Sequence, residues 1–190
     1  MKKLLLLTLM LPALFFTSVS QERNMWLTGT VQLSGTDYNA SSETSLILMP
    51  DVGYYIDGPW AVGGRFGFET DWTSNEVTVR ESRTAIVPFV RYLVGDPENM
   101  NFFLQAELPI NFYGGEVNGT SMDSSTSVGF NFRPGLFYGF TPRWGVTMLM
   151  PSFITAETHN DVTTYRLGIN DGYTIQRYLL STAFGITYRF

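Results

Sequence analysis

Leu179-Leu180-Ser181-Thr182-Ala183-Phe184-Gly185-Ile186-Thr187-Tyr188-Arg189-Phe190 decides how the rest of this chain is read. Every second residue is large and apolar (Phe184, Ile186, Tyr188, Phe190), with small or polar residues between (Ala183, Gly185, Thr187, Arg189). Side chains of a β-strand alternate faces with period two, so the segment is a strand with one bulky apolar face and one small or polar face. A soluble strand has little use for a terminal Phe on that row. In a membrane barrel the last strand pairs with the first to close the ring, and a terminal aromatic sits at the lipid interface.

Similar alternation recurs through the chain. Strands are predicted over about 24–35, 45–56, 60–72, 84–94, 101–113, 127–140 and 144–154, and the eighth ends at Phe190. The fifth is the cleanest: Phe102, Leu104, Ala106, Leu108, Ile110 and Phe112 face Asn101, Gln105, Glu107 and Asn111 across the strand. Short turns near 58, 96 and 142 alternate with long polar connections at 36–44, 73–83, 114–126 and 155–173. Outer-membrane barrels show this asymmetry, with short periplasmic turns and longer extracellular loops. A repeat holds the register: Pro50-x-Val52-x-Tyr54-x-Ile56 returns as Pro88-x-Val90-x-Tyr92-x-Val94 and Pro134-x-Leu136-x-Tyr138-x-Phe140, and the terminal strand keeps its apolar-x-Tyr-x-Phe part. Tyr54, Tyr92, Tyr138 and Tyr188 therefore stand at one level, and Trp60 and Trp144 follow two of the turns. Such a ring suits a membrane–water interface. The three prolines share that register, and since Pro removes a ladder donor, bulges or kinks are expected there.

Composition agrees with one such domain. Apolar residues make up 44% and charged residues 15%, which is incompatible with disorder. Met1-Lys2-Lys3 precedes an apolar run from Leu4 to Phe16, and Ser18 and Ser20 supply small residues before Gln21. This is the pattern of a cleaved secretory signal, residues 1–20, leaving 21–190 as the barrel domain; 13 residues containing Pro12 fall short of the ~20 needed to span a bilayer as a helix. Removing residues 1–20 leaves 12 − 2 = 10 basic residues, all Arg, against 17 acidic ones, a net charge of −7. That excludes nucleic acid as a partner by charge. With no Cys there is no disulfide scaffold and no thiolate metal site.

Two features orient the faces. The apolar faces are near-continuous rows, and the opposite faces carry charges of both signs: Arg65, Glu69, Asp71, Arg91, Glu107 and Arg133. A soluble barrel encloses its apolar face, whereas a lipid-embedded one turns it outward. Eight strands enclose an interior just filled by side chains. Buried charges must then pair, so Arg133 is expected on Glu107, and Arg65 on Glu69 or Glu107. A filled core is favoured over an open ion path.

Catalytic motifs are absent at this level. His159, the sole His, lies beside Asn160 and Asp161 in a connection, where a solvated surface residue is the simplest reading. No zinc spacing, phosphate loop, nucleophile elbow or calcium loop is present. Neither an enzyme nor a cofactor or metal is expected.

Signal, strand count, aromatic ring and the Gly185-x-x-Tyr188-x-Phe190 ending together resemble small bacterial outer-membrane barrels of the OmpX, OmpA-barrel and porin-family type, over residues 24–190. Ala183 stands where that ending usually has a polar residue. The resemblance implies an all-β, eight-stranded antiparallel up-and-down transmembrane barrel in the bacterial outer membrane. It also implies insertion by the barrel-assembly machinery, which would read Gly185, Tyr188 and Phe190. The expected partners are outer-membrane lipid, that machinery and an extracellular ligand met through the long loops, with the chain monomeric. The leading role is structural or surface interaction. A narrow porin comes second and an outer-membrane lipid-modifying enzyme third.

Overall fold

The computed structural model describes residues 24–38, 41–74, 78–96, 99–168 and 182–190; the proposed signal, 1–20, and part of the 155–173 connection lie outside them. Twelve strand segments form one sheet: β1 (Met25–Tyr38), β2 (Ser41–Asp57), β3 (Trp60–Ser74), β4 (Thr78–Asp96), β5 (Met100–Glu107), β6 (Ile110–Val117), β7 (Thr120–Ser121), β8 (Ser125–Gly139), β9 (Trp144–Leu149), β10 (Ile154–His159), β11 (Val162–Leu167) and β12 (Ala183–Arg189). They make eight staves, because β5 runs on into β6, β7 leads into β8, β9 runs on into β10, and β11 shares the last stave with β12. Every described pairing is antiparallel.

The terminal segment closes the ring. β12 pairs with β9 on one side and β1 on the other, Trp26 opposite Arg189 and Gly29 opposite Ile186. Met25 and Phe190 exchange both backbone hydrogen bonds, at 3.2 and 3.1 Å, which leaves no open edge at this end of the seam.

The barrel is inverted. Leu27, Val52, Phe66, Ile86, Phe102, Leu104 and Ile186 point outward and are exposed, whereas Thr28, Arg65, Arg91, Gln105, Glu107 and Thr187 on the alternate positions are buried. An outer surface of this kind is stable only against an apolar surrounding.

The long polar connections are shorter than the sequence implies. β1 and β2 stay paired to Tyr38 opposite Ser41, and β3 and β4 to Ser74 opposite Thr78. β6 extends to Val117 and turns into β7 at Asn118-Gly119, both at positive φ (50° and 79°), a type I′ geometry that suits a two-residue hairpin. In the 155–173 stretch, β10 and β11 form another hairpin, turning at Asn160 and Asp161 with φ of 46° and 66°. Backbone groups beyond the apolar belt still need partners, and cross-strand pairing supplies them even where both faces are polar.

The prolines behave unequally. At Pro88 the ladder holds its register, since Phe89 faces Glu107 and Ile86 faces Ile110; Leu108 donates to the Pro88 carbonyl at 3.0 Å. Pro50 likewise lies within an unshifted ladder, so no bulge forms at either. Opposite Pro134 the partner stave takes up two extra residues: Gly135 faces Leu149 and Phe132 faces Ile154, leaving 133–134 against 150–153. Pro151 lies in that excursion, and Met150 donates to the Pro134 carbonyl at 3.1 Å.

Candidate functional site

The interior divides into layers, ordered from the end that carries the short turns to the end that carries the paired hairpins. Nearest the short turns, Trp26, Phe89, Phe103 and Phe137 are buried and point inward. Room for each ring comes from a glycine on the neighbouring stave. A Cβ on Gly53 would lie 2.0 Å from Trp26, on Gly63 2.4 Å from Phe89, on Gly135 2.2 Å from Phe103 and on Gly145 2.4 Å from Phe137. Arg91 lies among three of these rings, 4.8 Å from Trp26, 5.3 Å from Phe89 and 3.9 Å from Phe103, and its Nε donates to Gln105 at 2.8 Å. Arg189 lies 3.7 Å above Phe137 and 5.8 Å from Tyr55. A desolvated guanidinium on an aromatic face gains about 2 kcal/mol, so these contacts offset part of the cost of burying the two charges.

Above that layer the charges pair. Arg65 Nη1 donates to Glu107 Oε1 at 3.0 Å, and Arg133 Nη2 lies 3.0 Å from Glu107 Oε2. Gln105 adds a bond to Glu107 at 2.6 Å. Thr187 shares hydroxyl bonds with Thr28 (2.9 Å) and Thr147 (2.6 Å), joining β1, β12 and β9 across the closing seam. Glu69 pairs with Arg83 on the adjacent stave. Asp71 is half-buried nearer the hairpin end. A cavity of about 330 Å³ lies over the Arg65–Glu107–Arg133 cluster.

Towards the hairpin end, Glu157 accepts from Tyr113 at 3.1 Å and from Ser127, with Asn111 at 3.5 Å. His159 is neither in a loop nor simply solvated. It ends β10, is half-buried, stacks on Tyr113 (centroids 5.1 Å, planes 17° apart), and its Nε2 is 2.9 Å from Ser125 Oγ. This pair faces a rim cavity of about 350 Å³.

On the outside, Tyr54, Trp60, Tyr92, Tyr138 and Trp144 are exposed and Tyr188 half-buried, all beside the short turns. Trp60 meets Tyr92 edge-on at 4.9 Å, Trp144 meets Tyr188 at 4.8 Å, and Tyr188 stacks with Phe190 at 5.9 Å. Gly185 is buried on the inner face of β12, where a Cβ would lie 2.5 Å from Thr28.

Sequence patterning brought out the charged residues but not the aromatic floor or the Ser125–His159 contact. The inward glycines were the available signal for the floor, since each stands opposite or diagonal to a ring. Among the described residues no three His, Asp or Glu side chains converge as a metal site.

A closed antiparallel ladder with polar residues inside and a continuous apolar outer wall defines the class: an eight-stave barrel of outer-membrane type. No family model matches the chain, and no curated protein does. Among solved structures, the crystal structure of Neisserial surface protein A is similar at 14% identity and a TM-score of 0.45, covering 88% of this chain and 94% of that one. A likeness at that level carries no argument, and the fold rests on the ladder itself.

Proposed function

We propose that this protein is a small integral protein of the bacterial outer membrane that acts as a structural and surface-interaction element, its interior closed to ion flow. The reading rests on one observation above all: Arg91 held among Trp26, Phe89 and Phe103, beneath the Arg65–Glu107–Arg133 cluster. An eight-stave barrel has little cross-section to spare, and side chains of this size in contact across it favour a filled interior over a continuous water column. In this reading residues 1–20 direct export and are removed, and the assembly machinery reads Gly185, Tyr188 and Phe190. The aromatic ring lies at the periplasmic interface, and the far ends of the β1–β2, β3–β4, β6–β7 and β10–β11 pairs face outward as the surface a ligand would meet.

The protein in a planar lipid bilayer should give no steady current while showing the heat-dependent gel mobility of a folded barrel. Ohmic single-channel steps from the folded form would replace this reading with the narrow porin.

A further inference from the structure

The rim cavity holds an arrangement that a purely structural barrel does not need. Ser125 begins β8, Tyr113 lies directly across from it on β6, and His159 ends β10 on the other flank of β8. Three neighbouring staves thus bring a hydroxyl, an imidazole and a flat ring together on the inner wall. Tyr113 lies nearly parallel to the imidazole at 5.1 Å, which fixes the plane of the ring, and Nε2 points at Ser125 Oγ from 2.9 Å. A hydroxyl within hydrogen-bond reach of a base whose ring is held by a third group is the arrangement that activates a serine nucleophile. Both side chains are half-buried and open on a cavity of about 350 Å³, room for a small acyl group.

From this geometry we infer that Ser125 and His159 form a nucleophile–base pair that cleaves small carboxylic esters at the rim. With His159 as the tautomer bare at Nε2, Ser125 Oγ attacks the carbonyl carbon and Nε2 takes the hydroxyl proton. The carbonyl π electrons move onto oxygen. They return as the ester C–O bond breaks, and Nε2 passes its proton to the leaving alkoxide oxygen. Water then attacks the acyl-Ser125 ester, Nε2 takes the water's proton and returns it to Oγ, and a carboxylic acid departs. No oxidant, metal or cofactor enters the balance.

The cavity wall selects among esters. Glu69, Asp71, Glu81 and Asp123 line it with one cation, Arg83, so the wall carries 1 − 4 = −3. That field disfavours an anionic ester and favours a neutral or cationic one. It also faces the imidazolium that forms when the ring takes its proton. Arg83, the wall's one cation, is paired with Glu69.

The test uses the folded protein in detergent micelles, with a fluorophosphonate probe and two esters, neutral p-nitrophenyl butyrate and cationic butyrylcholine. The probe should add to Ser125, located by peptide mass spectrometry, and both esters should be hydrolysed. Ser125→Ala should abolish labelling and hydrolysis. His159→Gln, which keeps a hydrogen-bonding group but supplies no base, should lower both by about 100-fold or more. Gel mobility confirms that each variant is folded. A folded protein that neither reacts nor hydrolyses, a probe adduct elsewhere, or a rate unchanged in Ser125→Ala overturns the inference.

Discussion

Glu107 shows at the level of one residue how the interior is held together. Its side chain is 1% exposed and faces two guanidiniums, Arg65 at 6% and Arg133 at 20% exposure. Removing the carboxylate leaves two positive groups close together on the inner wall, whereas removing Arg133 still leaves Glu107 bonded to Arg65 and Gln105. Glu107→Ala should therefore lower unfolding stability by about 3–5 kcal/mol, and Arg133→Ala by about 2 kcal/mol. The double variant should lose less than the sum, by roughly 1–3 kcal/mol, because deleting Arg133 then relieves its repulsion with Arg65. Urea unfolding in lipid vesicles measures all three, and strictly additive losses would show that Arg133 and Glu107 do not act as a pair. The members of this cluster are readable in sequence because Arg65, Glu107 and Arg133 stand on the polar side of strict alternation. Which carboxylate Arg65 takes is not, since Glu69 and Glu107 satisfy the same parity and only the ladder brings Glu107 within reach while Glu69 goes to Arg83.

Between neighbouring staves, the decisive feature is the fit of inward rings over inward glycines. Gly135 faces Phe103 directly, and a Cβ there would also come within 2.9 Å of the Met148 carbonyl, which cannot move aside. Gly135→Val should destabilise the barrel by about 1–3 kcal/mol, the usual cost of overpacking, with its heat-modified gel band appearing at lower temperature than the wild type's. An unchanged unfolding temperature would mean that Phe103 leaves its place without cost. Alternation reveals strands because lipid and a crowded interior make opposite demands on successive residues. It hides Phe103, which lies in the unbroken run Phe102-Phe103-Leu104, where period two cannot mark the inward ring as special. It also fails beyond the belt, where water wets both faces and the paired ends of β1 to β4 read as loops. The Ser125–His159 contact was illegible for a third reason: 34 residues separate the two, and their approach depends on a register set by the two extra residues at 150–153.

For the whole molecule the outer wall must match a bilayer in height. On β3 the outward positions run from Trp60 through Phe66 to Trp72, and Trp72 carries Arg80 at 5.9 Å from its ring. At about 3.3 Å per residue and a tilt of about 40°, the path between the two tryptophans rises about 30 Å, close to the ~25 Å apolar band of such barrels. Phe66 lies midway, 49% exposed, with Ile86 directly beside it at 52% on β4. A guanidinium at that depth has to be held in hydrocarbon, whereas one at Trp60 reaches the headgroups. Phe66→Arg should cost about 2–4 kcal/mol, and the charge at Trp60→Arg about 0–1 kcal/mol. Reversible unfolding in vesicles gives both values on one scale. The contrast also separates lipid from water as the surrounding medium, since in water both arginines would be solvated and neither position would cost much. A large penalty confined to the Phe66 level fixes the molecule's height in the membrane; equal, small effects at the two levels would mean that the apolar wall does not face lipid.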